Sequence, residues 1–227
     1  MPNSSAGLMS KSFAVYAKDL RLELRTRNAL NAILMFGITT LTVVSFSLGQ
    51  SGLSPKLLSA LFWVIIFFSA MSGLAQTFIR EEETGTSLAL RLTAEPDSIY
   101  IGKLLFNFTL LSTITIIITP LFFVFTDAPT DNIIRFLLVI LLGILGLCGA
   151  TNIVAAIIAK ASVKGALFAV LSFPILITLL IILVGASEKI FEGQTLSDIL
   201  PEIQFLVAYV VVMITASIML FKFVWQD

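Results

Sequence analysis

Six stretches without a charged side chain, each about as long as a bilayer core is thick, decide most of what this chain can become. Their apolar parts run from Asn28 to Leu48, Leu57 to Ile79, Leu104 to Thr126, Phe136 to Ala159, Gly165 to Ser187 and Ile203 to Phe221. A hydrocarbon core of about 30 Å is crossed by roughly 20 apolar residues in a helix. The chain is 58% hydrophobic and 12% charged, whereas a soluble domain averages about 45–50% apolar and about 25% charged residues. The spacing predicts an all-α polytopic membrane protein with six transmembrane helices, at about 29–48, 57–79, 101–126, 133–159, 165–186 and 203–224, in one domain over 11–227. Connections this short leave no room for a soluble catalytic domain. Any energy source is another polypeptide or an ion gradient.

Lysine and arginine accumulate in short cytoplasmic loops. Lys11, Lys18, Arg21, Arg25 and Arg27 precede the first span, Arg80, Arg91 and Lys103 lie in the second connection, Lys160 and Lys164 in the fourth, and Lys222 follows the last span. Only Lys56, Arg135 and Lys189 fall on the other side. Both termini are therefore expected in the cytoplasm. The first span starts near residue 29, is longer than a signal-peptide core and lacks a small-x-small exit, so it reads as a retained anchor. The single cysteine, Cys148, lies in an apolar run, and an intrachain disulfide is excluded.

The one sizeable polar island between spans is Gln76 to Lys103, which holds eight of the 28 charged residues. Arg80, Glu81, Glu82 and Glu83 continue the second span for a turn into water, and Gly85 is placed to take the left-handed conformation that ends a helix. Thr86 or Ser87 then caps a short cytoplasmic helix carrying Arg91, on which Leu88 and Leu92, one turn apart, form a small apolar knob. Pro96 stops it, Asp97 or Ser98 caps the third span, and Tyr100 and Lys103 sit at the membrane interface. Such a helix between two membrane rods passes the motion of a docked protein into the bilayer. An inert loop that only sets topology is the plainer reading of the same residues. Ahead of the first span, residues 1–10 are expected to be disordered. Phe13, Ala17, Leu20 and Leu24 recur at spacings of three and four with Lys18, Arg21 and Arg25 on another flank, the pattern of an interfacial amphipathic helix with its cationic side to lipid phosphate.

Pro120 and Pro174 predict bends in the third and fifth spans. In the fourth, Gly146 and Ala150 form a small-xxx-small pair that admits a neighbouring backbone. Asn152 should face another helix, as interhelical glue or as a substrate ligand. The apolar residues of 186–202 suggest a short helix or hairpin on the outer surface. The sequence contains no histidine, no cysteine pair, no GxxxxGK[ST] phosphate loop and no GxSxG elbow. No catalytic residue and no metal ligand set is assigned. No acidic residue interrupts the middle of a span, which argues against an ion-coupled carrier and for external power.

REEETGT at Arg80 to Thr86, followed by a leucine-rich helix and then IYIGK, resembles the CcmB-type permease of the haem-exporter ABC complex used in cytochrome c maturation. The likeness extends to KDLRLELRTR at Lys18 to Arg27, AAIIAKASVKGALFAVLSFPILI at Ala155 to Ile177 and FKFVWQD at Phe221 to Asp227. It departs at Thr93, Ala94 and Glu95, where a Ser-Pro-like turn usually stands. The resemblance implies a bacterial inner-membrane permease homodimer, two ATP-hydrolysing ABC subunits gripping the island, and haem-handling membrane subunits that serve a periplasmic haem chaperone. Membrane lipid is a further partner, and nucleic acid is not. ATP belongs to the partner, and under the resemblance two steps stay open, movement of haem as cargo of the complex or release of the haem-loaded chaperone. No cofactor is assigned to this chain, which lacks the histidine that usually ligates haem iron. Two alternatives stay open: an ABC exporter permease for lipid, polysaccharide or drug, and a scaffold or channel without a motor. Charge reversal at Glu81 to Glu83 and Arg91 is expected to release the ATPase under the motor reading and to change nothing under the scaffold reading.

Overall fold

A computed structural model of the chain describes residues 4–48, 53–74, 78, 81, 83–129, 131–158 and 164–226, with no strand among them. The helices within these residues are α1 (Ser4–Thr26), α2 (Asn28–Leu48), α3 (Pro55–Leu74), α4 (Ser87–Thr93), α5 (Pro96–Thr126), α6 (Ile133–Ile158), α7 (Lys164–Phe191) and α8 (Leu196–Gln226). Five of them, α3 and α5 to α8, are long and apolar enough to cross a membrane, and α2 contributes a shorter apolar run, Leu34–Val44. The chain is thus an all-helical, multi-pass membrane protein.

The middle of the bundle is α6, which packs on α5, α7 and α8 and more lightly on α3. Every residue from Gly146 to Ala156 is buried. Small side chains dominate that run, so three neighbours approach the α6 backbone at once. Gly146 lies beneath Leu179 of α7 and Tyr209 of α8, and Ala150 is enclosed beside it. α8 meets the bundle along one stripe, Ile199, Leu206, Val210, Ser217 and Phe221, while Val211, Val212, Met219 and Phe223 remain exposed. An apolar face of that size on a membrane helix belongs against lipid.

The ends of the bundle differ. At one, Phe62, Trp63, Phe122, Phe136 and Phe191 form a nest of rings with centroids 4.9–5.3 Å apart, and Trp63 Nε1 donates to Ser187 Oγ at 2.8 Å. The nearby turn at 192–195 is closed by its own polar groups. Thr195 offers its amide and hydroxyl to the Asp198 carboxylate at 3.0 and 2.6 Å, a capping arrangement for α8. Arg135 donates to the Gln194 carbonyl at 2.8 Å. Segment 186–202, expected as a separate surface helix or hairpin, is instead the ends of α7 and α8 joined by this turn, because the apolar residues Ile190, Phe191 and Ile199 are buried in the bundle.

Two other expectations change. The stretch read as disordered is helical from Ser4. The third membrane helix starts at Pro96, whose fixed φ suits a first helical position, so that Glu95 rather than Asp97 or Ser98 holds the N-cap position. Pro120 and Pro174 lie inside α5 and α7, which continue past them as helix.

Candidate functional site

At the end opposite the aromatic nest, α1 lies along the first turns of α5. Its buried face is Ser12, Val15, Asp19 and Glu23, at spacings of three and four, while Met9, Phe13 and Leu24 are exposed. Lys11, Lys18, Arg21 and Arg25 are exposed along a further face. The apolar face is left for lipid and the two acids turn into the protein. Such an inversion is tolerable only if the buried acids are paired or hydrogen-bonded. The Glu23 carboxylate accepts the Leu30 amide at 2.9 Å, at the start of α2, where free amides and the helix dipole favour a negative charge.

Close approach of α1 to α5 depends on Gly102. A Cβ there would stand 2.7 Å from the Ser12 carbonyl oxygen and 2.7 Å from Val15 Cβ. Gly102→Ala is expected to lift α1 from α5 at a cost of about 1–3 kcal/mol, seen as faster tryptic cleavage at Arg21 and Arg25 in detergent. Unchanged cleavage would mean that the contact is not held.

Asp19 meets a buried ion cluster. Lys103 Nζ, on α5 and 1% exposed, lies 2.9 Å from Asp19 Oδ2 and 2.7 Å from Glu81 Oε1. Lys18 Nζ is 3.2 Å from Asp19 Oδ1 and also donates to Glu81 Oε1. The Thr86 hydroxyl donates to Glu81 Oε2 at 2.6 Å, and the Phe78 ring covers the Lys103 ammonium at 5.6 Å, a cation–π placement. Two cations match two anions across three chain segments, with one side chain, Lys18, reaching water.

Burial pushes the Glu81 carboxyl up, but the Lys103 charge and the hydrogen bonds from Lys103, Lys18 and Thr86 outweigh it and hold it at about 2, below the ordinary 4.5. Burial also opposes the charge on Lys18, and Asp19 and Glu81 outweigh that, raising its pKa above 10.5. A depressed carboxyl contributes stability above its unfolded pKa and loses it as pH falls through the folded one. The joint is therefore expected to be constant near neutrality and to loosen as pH falls from 4.5 towards 2. Hydrogen exchange of α1 amides checks this, and loosening already between about pH 7 and 6, the range of ordinary histidine rather than carboxylate titration, would contradict it.

Above the cluster sits α4. Gly85 has φ 68°, the left-handed turn expected of it. Thr86 occupies the N-cap position without a side-chain cap bond, because its hydroxyl is spent on Glu81 instead. Leu90 is 9% exposed and points into a small core with Val15, Phe78, Ile99, Tyr100 and Phe221. Leu88 and Leu92 are 65% and 80% exposed. A shallow groove of about 210 Å³ separates α4 from α1, with Lys11 and Lys18 at its edge and Val15 and Leu90 in its floor. Lys11 pairs with Glu95 at 3.3 Å and Lys222 with Asp97 at 3.1 Å, so the first and last helices converge on the same end as the charged hairpin.

The anticipated residues thus separate. Leu88 and Leu92 form an outward knob, Glu83 is exposed, and Arg91 lies on the α4 backbone. Arg80 and Glu82 fall outside the described residues. Glu81 faces inward, so reversing its charge would break the joint itself. Tyr100 and Lys103, expected at the membrane interface, are buried, because the acids of α1 and the hairpin and the ring of Phe221 supply their surroundings. Asn152 accepts from Asn107 Nδ2 of α5 at 3.0 Å. Asp19 and Glu23, for which the sequence suggests local pairing with Lys18 and Arg27, reach further: Asp19 meets Lys103 as well as Lys18, and Glu23 accepts the Leu30 amide. Gly102 and Asn107 were not singled out from sequence. The signal for these contacts is an acid recurring on a basic helix, and a glycine beside a lysine at the head of a span.

The family model described as the CcmB protein matches residues 10–224, nearly the whole chain. This chain belongs to the CcmB family. CcmB is the haem exporter permease of the cytochrome c maturation system, a membrane component of an ABC complex and not itself catalytic. Membership in the CcmB family implies a complex with an ATPase and other components of that system. No curated protein matches the chain.

Proposed function

We propose that this chain couples ATP hydrolysis by a separate ABC subunit to haem handling during cytochrome c assembly, with α4 as the element the motor grips. The observation that carries this is the exposed pair Leu88 and Leu92 on a short helix whose opposite side is anchored by Leu90 and, through Thr86, by Glu81. A knob on a fixed base transmits force, whereas a floppy loop would absorb it. Glu83 is exposed, and Arg80, Glu82 and Arg91 belong by sequence to the same charged segment, of the kind a water-facing contact uses for orientation.

In this reading α2 is the sixth membrane span, both termini are cytoplasmic, and Lys18, Arg21 and Arg25 hold α1 to anionic lipid in the inner membrane of a bacterium. The permease acts as a homodimer, ATP stays with the motor subunit, and haem is cargo that other membrane subunits pass to a periplasmic chaperone. Leu88→Asp combined with Leu92→Asp is expected to insert normally and to lose about 90% or more of the co-purifying ATPase, since central apolar anchors carry most interface energy. Full ATPase recovery from that variant would contradict the assignment. Loss of covalent cytochrome haem with normal envelope lipids on deletion separates the haem role from export of lipid or polysaccharide.

A further inference from the structure

We propose that Lys103 is a positioning residue, the pivot through which movement of α4 reaches both α1 and the centre of the membrane bundle, with Asp19 and Glu81 as its two arms. The proposal rests on the motor reading above and assigns the route inside the permease that this reading lacks.

Connectivity comes first. Glu81 accepts from Thr86 at the start of α4 with one carboxylate oxygen and from Lys103 with the other. Lys103 reaches Asp19 of α1 at 2.9 Å with the same ammonium. One turn further along α5 on the same face, Asn107 donates to Asn152 of α6 at 3.0 Å. Polar contacts therefore lead from α4 through Glu81 and Lys103 to α1, and along α5 to α6, the most enclosed helix.

Packing alone would not make α4 and its surroundings one body. Among the described side chains of α4, Leu90 is the buried one, and a seven-residue helix held by one leucine is weakly placed. The polar tie is correspondingly important and well shielded. Lys103 and Asn107 are fully enclosed, so water does not compete for their bonds, and electrostatic interactions at such depth are stronger than at a surface. Lysine suits a pivot because its ammonium offers three rotatable donors on a flexible stem. It can keep two carboxylates while their helices shift. The close approach of α1 at Gly102 leaves little slack between the arms.

The test uses the full complex carrying Asp19→Asn, Glu81→Gln and Lys103→Met together, which removes the buried charges without stranding one. Spin labels at Ala14→Cys and Thr93→Cys report the span between α1 and α4, and Cys148 is buried away from the label. The variant is expected to retain its ATPase subunit and hydrolysis, to lose roughly tenfold or more of covalent haem delivery to cytochrome c, and to show a broadened label distance that no longer follows ATP. Unchanged haem delivery, or a narrow distance that still responds to ATP, overturns the proposal, and so does loss of the ATPase, which would place these residues in the grip itself. If the triple variant fails to accumulate, Thr86→Val carries the test by cutting only the α4 link: reduced haem delivery with retained ATPase supports the pivot, and normal delivery refutes it. A wild-type chain that recovers no ATPase overturns the motor reading as well, which distinguishes that failure from this one.

Discussion

Lys103→Met alone is expected to destabilise the protein by about 3–5 kcal/mol, the cost of stranding buried charge by removing one partner. Asp19 and Glu81 are both nearly enclosed, and Lys18, partly exposed, is left to serve the two of them. Methionine fills the space but donates nothing. The triple neutral variant should be more stable than this single substitution, because replacing a whole buried ion cluster is often close to neutral whereas breaking one is not. Unfolding in mixed micelles measures both. A triple variant less stable than Lys103→Met would show that the carboxylates do not depend on Lys103.

Trp63→Ala at the other end is expected to cost about 3–5 kcal/mol, the range for deleting a large enclosed aromatic. Trp63 is buried, packs edge-on to Phe62 at 5.3 Å, and closes over Gly143 of α6. Water does not drive helix association inside lipid, so lost van der Waals contact carries the penalty there. Trp63→Phe retains the packing and loses the bond to Ser187, and should cost only about 1 kcal/mol. Equal losses for the two variants would mean that the indole hydrogen bond, and not the ring contact, holds α3 to α7. Neither substitution touches the charged joint, so haem delivery per folded molecule should change little.

The membrane helices were legible because an uncharged run of bilayer length has few other fates, and their observed bounds follow those runs within several residues. α4 was legible for a local reason: Gly85 and Pro96 bracket it, and Leu88 with Leu92 mark a face. The charged joint was not. Asp19, Glu81 and Lys103 lie far apart in the chain, each within a charged stretch that reads as solvated, and sequence period cannot tell a cation at the interface from one facing two acids. α1 was legible in part. Its apolar positions Phe13 and Leu24 suggested the amphipathic character correctly, but they face outward, and the protein contact is made by the smaller set Ser12, Val15, Asp19 and Glu23. Gly102 escaped notice because a glycine within a span is common, and its need here comes from a partner helix some 90 residues earlier in the chain.

Photo-crosslinking from position 92 in intact cells tests the account most directly, with position 134 at the opposite end of the bundle as the control; Leu92 and Ile134 are equally exposed. An adduct with the ATPase from position 92 and none from 134 is the predicted result. An ATPase adduct from 134, or labelling of position 92 by an impermeant reagent added outside the cell, would place the knob on the wrong side of the membrane and contradict it.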